Sequence, residues 1–209
     1  MSRSSARDGL SFDDGARAVE LARDAVRAFV EDGRREEPGS MRDAFYDRSS
    51  AFVRLETTTQ RGQLRGCASA HDAPAELERD AERLGMTIVD AAIAAASDDS
   101  RSTVTAPELD SLVVTVFVAE EVTPVDDPAT DLVVGRHGLA IEGPSTGGWM
   151  FPTVPVDNDW GVYEYLDRTA RKAGLPADAW GDEDVRVLAL EGPVYAENEP
   201  GGSVTRRLE

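Results

Sequence analysis

The chain has 209 residues, a length that supports one hydrophobic core or two lobes sharing a core. Its only cysteine, Cys67, excludes an intramolecular disulfide and any zinc site built on paired Cys-x-x-Cys knuckles. No run approaches the roughly 18 apolar residues of a membrane helix, and the first residues lack the apolar core of a signal peptide. We therefore expect a soluble, cytoplasmic protein with no membrane partner.

The charge is strongly negative, at −18, from 40 acidic and 22 basic residues. Lys172 is the only lysine among the basic residues. An acidic surface with almost no lysine is typical of proteins from salt-loving archaea, because at about 1 M salt the Debye length falls to roughly 3 Å and like charges repel little. We interpret the acidity as a halophilic adaptation. Nucleic-acid binding is not expected, since phosphate contacts require clustered Lys and Arg.

The first half of the chain predicts two helices that flank a β-hairpin. Apolar residues recur at helical spacing from Val19 to Phe29, and a β-branched and aromatic run follows Ala51. The predicted elements are a helix over 14–30 capped by Asp13 or Asp14, strands over 51–59 and 61–70 joined by a turn at 60–62, and a long helix over 72–97 capped by Asp72.

The second half predicts mainly strands. The segment from Leu112 to Val118 is apolar on both faces, as expected of a central strand covered on both sides. The predicted elements are one strand over 109–125, two short strands around the turn Gly135–Gly138, a strand from 146 that runs into a proline-bounded loop, a helix over 160–174 capped by Asp159, and a last strand over 184–197. Without strict βα alternation, this order predicts an α+β fold with a mostly antiparallel sheet. We expect a flexible segment over 1–13, one domain over 14–200 and a tail over 201–209.

The stretch "GQLRGCAS" (residues 62–69) holds the first candidate site. Gly66 removes a side chain where another group must come close, and Arg65 and Cys67 project to the same face of a strand. An adjacent guanidinium would favour the reactive thiolate. The alternative is that Cys67 is a small hydrophobic residue packed in a strand. The residues alone leave both interpretations open.

A cysteine nucleophile requires a base, and the chain has only two histidines, His71 and His137. In a straight strand His71 lies about 13 Å from Cys67, so it could pair only if the chain turns at Ala70. His137 lies in the turn "GRHG", where it is either a base brought in by the fold or a turn residue. Arg136 and the backbone N–H groups of that turn could bind a carboxylate or a phosphate. No Walker loop, nucleophile elbow or dinucleotide fingerprint occurs, and we expect no cofactor and no metal.

Several segments taken together resemble the AMMECR family. The similar segments are "LRGC" at 64–67, "AAIAAASDD" at 91–99, "ELDSLVVTVFV" at 108–118, "VGRHGLAIE" at 134–142 and "FPTVPVDNDWGVYEYLDRTARKAGLPADAW" at 151–180. Leu64 to Cys67 match the family's signature, and Gly135, His137 and Gly138 match its Gly-basic-His-Gly turn. Where the family usually continues Cys-Ile-Gly this chain has Ala68 and Ser69, and "DDSRS" replaces Asp-Pro-Arg-Phe.

The resemblance implies an α+β fold with a larger and a smaller lobe in one unit and a cleft near Arg65 to Cys67, but no reaction. Its usual gene neighbourhood implies MEMO-like and radical SAM proteins as partners. Two hypotheses follow. The first is an accessory protein that binds a small ligand or a partner through Arg65, Gly66 and Arg136. The second is an enzyme with Cys67 as nucleophile and His137 as base; the first is favoured, because no third orienting group is identifiable.

Overall fold

The computed structural model describes residues 10–47, 49–58, 63–70, 83–98 and 101–208. These residues form an α+β fold of two antiparallel sheets packed with helices, as the sequence predicts. The helices are α1 (Phe12–Asp32), α2 (Leu84–Ala96), α3 (Pro128–Asp131), α4 (Thr153–Asp157) and α5 (Val162–Lys172). Short 3₁₀ helices cover Asp43–Tyr46, Ala106–Ser111 and Ala179–Gly181. No helix of the described ranges is long and apolar enough to cross a bilayer.

The strands of the described residues divide between a five-stranded and a four-stranded sheet, with orders β2-β1-β3-β8-β9 and β4-β7-β5-β6. The strands are β1 (Ser50–Thr57), β2 (Leu64–Ser69), β3 (Leu112–Ala119), β4 (Glu121–Pro124), β5 (His137–Glu142), β6 (Gly147–Met150), β7 (Arg186–Glu191), β8 (Val194–Glu197) and β9 (Val204–Arg206). The predicted pairing of β1 with β2 is antiparallel, with Arg54 opposite Cys67. The turn predicted at 60–62 lies outside the described residues.

Helices α1 and α2 cover one face of the five-stranded sheet. Side chains alternate along a strand, so Val53 and Leu55 of β1 lie on the same face and join the helical core, together with Val114 and Val116 of β3. The burial of β3 on both faces confirms the prediction of a central strand. The predicted helix over 72–97 is described from Leu84 onward; its earlier part lies outside the described residues.

The opposite face of the five-stranded sheet packs against the four-stranded sheet. Phe52 and Phe117 stack there with ring centroids 5.4 Å apart, and Phe52 meets the edge of Trp149 at 4.4 Å. Phe151 contacts both Phe117 and Trp149 at ring distances below 6 Å, at 5.8 and 5.7 Å. Buried aromatic pairs contribute about 0.5–1.5 kcal/mol beyond their burial, so this aromatic cluster fixes how the two sheets meet.

Two predicted strands are each divided between the sheets. The run over 109–125 forms a 3₁₀ turn and then β3 and β4, and the run over 184–197 forms β7 and β8. Both segments cross from one sheet to the other at the same place, where the Glu120 N–H donates to the Glu191 carbonyl at 2.9 Å. A Cβ on Gly192 would lie 1.9 Å from the Val118 carbonyl oxygen, so the crossing requires glycine there. The apolar pattern of each segment continues through the crossing. The sequence therefore predicts one strand where the structure has two.

Helix α5 covers the outer face of the four-stranded sheet. Tyr165 and Leu166 are buried in this smaller core. The single O–H of Tyr165 is shared between the carbonyls of Met150 at 3.0 Å and Phe151 at 3.2 Å. Burial raises the pKa of Tyr165 well above its ordinary value, so the phenol stays protonated as the donor that anchors α5.

The starts of two helices differ from the predictions, and one predicted loop is helical. The α1 helix begins at Phe12 with Ser11 as its cap, whose hydroxyl accepts from the Asp14 N–H. Gly161 precedes α5 with no side-chain cap, while Asp159 adopts a left-handed φ of 56°. The proline-bounded segment after β6 is helical, as α4. These ends depend on local backbone angles that capping statistics predict only on average.

The turn before β5 also differs from its prediction. The N–H groups of Arg136 and His137 both donate to the Val133 carbonyl, at 3.1 and 3.0 Å. The residues directly before this turn do not form a strand, whereas β5 begins directly after it. At the other end, β9 pairs with β8 and lies within the C-terminal segment 201–208.

Candidate functional site

Gly66 lies on the face of β2 that packs against α2. A Cβ built on Gly66 would lie 1.8 Å from the Ala95 carbonyl oxygen, far inside van der Waals contact. The alanine-rich helix can therefore approach β2 only because residue 66 has no side chain. Since side chains alternate, the neighbouring Cys67 points to the opposite face of the sheet. The glycine and the cysteine of "LRGC" thus serve different sides of one strand.

Cys67 is half-buried beside the aromatic cluster between the sheets. Its cross-strand neighbour Arg54 lies on the same face and pairs with Glu56 at 2.6 Å. We define the Cys67 face as Arg54, Glu56, Cys67, Trp149 and Lys172. It lies where the aromatic cluster gives way to polar side chains, since Arg54 and Glu56 are 20% and 26% exposed.

The thiol environment combines burial with positive charge. Burial raises the pKa of Cys67, while Lys172, Arg54 and Arg101 lower it and Asp98 raises it. Burial is the larger effect, so the pKa of the thiol is raised rather than lowered. Arg65, which the sequence suggested as the activating group, is not among these charges. Cys67 is therefore mainly a neutral thiol at neutral pH.

Lys172 reaches the Cys67 face from α5, across the edge strand β6. Its Nζ donates to the Trp149 carbonyl at 2.6 Å and lies 4.3 Å from the centre of the Trp149 ring. A Cβ on Gly148 would lie 2.8 Å from the Ala173 Cα, so this glycine allows the end of α5 to approach β6. Gly148 and the end of α5 together determine the position of the lysine.

The described hydrogen bonds of the Arg65 side chain are made with Glu108 and Ser102, and not with Cys67. Its Nε donates to Glu108 Oε1 at 2.7 Å and its Nη2 lies 3.3 Å from the Ser102 carbonyl oxygen. Glu108 also accepts from the Thr105 N–H at 2.9 Å. The hydrogen bond from Arg65 is the main reason that the pKa of Glu108 falls from 4.5 to about 2. Arg65 therefore joins the short helix before β3 to β2.

His137 and Arg136 lie at the start of β5, in the other sheet. The ring Nδ1 of His137 accepts from the Val133 N–H at 3.2 Å, and its Nε2 lies 3.6 Å from Glu191. Arg136 donates to the same carboxylate, Glu191 Oε1, at 2.8 and 3.0 Å. None of the contacts described for His137 involves Cys67. His71 lies outside the described residues.

A surface cleft of about 360 Å³ opens beside this histidine turn. Its charged lining residues are Glu120, Arg136, Glu191 and Arg206. Three of these four charged residues are already engaged, since Arg136 pairs with Glu191 and Glu120 accepts from the Leu10 N–H at 2.8 Å. The turn N–H groups of Arg136 and His137 also have a partner, since both donate to the Val133 carbonyl. Cys67 does not line this cleft.

Within the described part of the chain, no three His, Cys, Asp or Glu side chains cluster as a metal site would require. Sequence reasoning missed Trp149, Lys172 and Arg54 as neighbours of Cys67. One signal could have found Lys172, because it is the only lysine in a chain that otherwise uses arginine. Arg65 and His137 contact glutamates that are distant in the sequence. A local sequence pattern cannot predict such contacts.

Comparison with known proteins shows the family of the chain. The AMMECR1 family model matches residues 19–195. The chain belongs to the AMMECR1 family. A protein from Halobacterium salinarum is 57% identical over 189 residues, covering 90% of each chain. A protein from Methanococcoides burtonii is 33% identical over 200 residues, covering 93% of this chain and 94% of the other.

The fold is similar to the crystal structure of an uncharacterized protein from Pyrococcus horikoshii. That chain is 31% identical, with a TM-score of 0.81 and coverage of 93% of this chain and 97% of the other. The AMMECR1 match confirms the resemblance derived from the sequence blocks. The names of these three relatives state no activity.

Proposed function

We propose that this AMMECR1-family protein is a binding protein whose Cys67 face holds a small ligand. The single observation that carries the proposal is the arrangement around Cys67: a half-buried neutral thiol lies between an aromatic cluster and an excess of positive charge. Binding sites typically combine apolar walls with a few convergent polar groups. The Cys67 face has both, and it includes the cysteine of the family's signature segment.

The cysteine-enzyme alternative has less support. A thiol nucleophile requires a lowered pKa and a base within hydrogen-bond reach. Burial raises the pKa of Cys67 instead. The ring of His137 accepts the Val133 N–H and faces Glu191. A second support for binding over catalysis is that Arg65 is held by Glu108 rather than by the thiol.

The cleft beside Arg136 has less support as the main site, despite its volume. Arg136 and the two glutamates of its lining already have partners. A ligand there would have to replace these contacts, and a surface ion pair that is merely exchanged adds little affinity. At the Cys67 face the aromatic side chains lie beside Lys172, which has no carboxylate partner among the described residues that a ligand would have to displace.

The proposal is tested by protection of Cys67 against iodoacetamide. The full chain, in concentrated salt to suit the halophilic adaptation that we propose, is incubated with chromatographic fractions of a deproteinised extract of host cells. We expect at least one fraction to slow labelling of Cys67, because the ligand covers the thiol. Peptide mass spectrometry measures the labelled fraction.

A second thiol controls for general stabilisation. In Ser145→Cys the added thiol lies in the exposed connection between β5 and β6. We expect the protective fraction to slow labelling at residue 67 and to leave residue 145 unchanged. The proposal is wrong if no fraction protects Cys67, or if both thiols are protected equally.

Protein partners are a separate part of the proposal. The family resemblance supports MEMO-like and radical SAM proteins as partners, through their shared gene neighbourhood. Affinity purification of the tagged chain from its host in native salt, followed by mass spectrometry, tests this. Recovery of neither protein above an untagged control would remove that support.

A further inference from the structure

Lys172 is the one cation beside Cys67 that has no carboxylate partner among the described residues. The three arginines of this region, in contrast, have carboxylate partners. Arg54 pairs with Glu56, Arg65 with Glu108 and Arg101 with Asp98. The contacts of Lys172 are instead the carbonyl and the ring of Trp149. Its charge is therefore not neutralised by any described side chain.

The geometry of the ammonium leaves donors for a ligand. A lysine Nζ carries three N–H groups, and one of them donates to the Trp149 carbonyl at 2.6 Å. The contact with the Trp149 ring holds the ammonium in place, and such cation–π contacts contribute about 0.5–1 kcal/mol at exposed sites. Two N–H groups remain to bind an oxygen anion at the border of the Cys67 face.

The composition supports a specific use of this lysine. A chain that otherwise uses arginine for its basic residues keeps a lysine only at position 172. Lysine offers a compact charge with donors that rotate, whereas arginine presents a rigid planar fork. The one compact cation of the protein thus lies within electrostatic range of its one thiol.

We infer that the ligand carries an anionic group, a carboxylate or a phosphate, that binds Lys172. This inference rests on the proposed function and adds the chemical class of the ligand. The apolar body of the ligand lies against Trp149 and Cys67, while the anionic group lies at the exposed border where Nζ can reach it. A neutral ligand of the same shape loses the charged hydrogen bond.

Matched probe pairs test the inference. Benzoate and benzamide, and phenyl phosphate and phenol, differ mainly in the anionic group, and their dissociation constants are measured by NMR titration of the full chain. We expect each anion to bind about tenfold more tightly than its neutral counterpart, since hydrogen bonds to charged groups are the stronger ones. This preference should disappear in Lys172→Gln and persist in Lys172→Arg.

The control variant removes a similar cation elsewhere. Arg168 lies 5.2 Å from the ring centre of Trp160 and pairs with Glu164 at 3.2 Å. Arg168→Gln should leave the preference for anions unchanged. Equal binding of neutral and anionic probes, an absence of anion binding, or a preference that survives in Lys172→Gln overturns the inference.

The proposed function can survive that outcome. If a host-cell fraction protects Cys67 equally in the unaltered chain and in Lys172→Gln, the site exists and the anionic class is wrong. If no fraction protects Cys67 in the unaltered chain, the proposed function itself fails.

Discussion

The backbone of Ala95 lies where a side chain of residue 66 would be. A Cβ on Gly66 would approach the Ala95 carbonyl oxygen to 1.8 Å, and the helix could not retain its place on β2. Gly66 therefore determines how α2 packs, and thereby how β2 presents Cys67 on its other face.

Gly66→Ala should destabilise the protein strongly. Overpacking a filled core typically costs about 1–3 kcal/mol, and here the clash is with rigid backbone, so we expect the upper end of that range or more. Denaturant unfolding in concentrated salt measures the loss. Gly181→Ala is the matched control, because nothing lies within 4 Å of its Cβ position. Equal stability of the two variants would contradict the packing role.

Arg23→Ala should cost far more stability than Arg17→Ala in the same helix. Arg23 pairs with Glu197, whose side chain is only 3% exposed and also accepts the Val114 N–H at 2.9 Å. Removing the arginine leaves a buried carboxylate unpaired, which typically costs about 3–5 kcal/mol.

Arg17 is exposed and pairs with Glu20 on the helix surface. Its removal should change the free energy of unfolding by less than about 1 kcal/mol. Thermal and denaturant unfolding compare the two variants. If the two losses are similar, the buried pair does not have the role described.

The Arg65–Glu108 pair should make stability depend on acid pH. The pKa of Glu108 is about 2 in the folded protein and 4.5 ordinarily, so its carboxylate stabilises the fold above pH 4.5. That contribution is lost as the pH falls from 4.5 towards 2. In Arg65→Ala the pKa should return towards its ordinary value.

Unfolding free energies at pH 6, 4, 3 and 2 measure this effect. The difference between the unaltered chain and Arg65→Ala should be largest at pH 6 and shrink towards pH 2. Arg65→Lys, which keeps the charge without the planar fork, should lie between them. A difference that is the same at pH 6 and pH 2 would rule out this linkage.

Cys67 should react slowly and only at high pH. Because burial raises the pKa of its thiol, the inflection of the iodoacetamide rate should lie above the ordinary value of about 8.5. Lys172→Gln removes the charge that most favours the thiolate, so its inflection should move higher still. Arg168→Gln should leave it unchanged. An inflection below the ordinary value would restore the case for an activated nucleophile.

Local patterns predict the elements of this fold better than their division between sheets. The helical spacing from Val19 to Phe29 and the two-sided apolar run of β3 are physical consequences of burial, so α1 and the central strand are predictable. The crossings at Glu120 and Gly192 are not, because an apolar run looks the same on either side of a sheet junction.

The sequence likewise predicts one part of the candidate site and not the other. Cys67 and its flanking residues lie in a segment that resembles the family, whereas their neighbours in the fold come from distant segments. Lys172 comes within electrostatic range of the thiol because the end of α5 approaches Gly148, and Arg65 binds Glu108 from 43 residues away. Such pairings follow from tertiary packing, which a single sequence does not report.

The most direct test of the central claim is a map of where a small molecule binds. Amide NMR spectra of the isotopically labelled full chain are recorded as the protective fraction of host-cell extract is added. We predict saturable shifts in β2 and β6, centred on Cys67 and Trp149. Shifts confined to the cleft beside Arg136 and Glu191, or no saturable shift at all, would contradict the account.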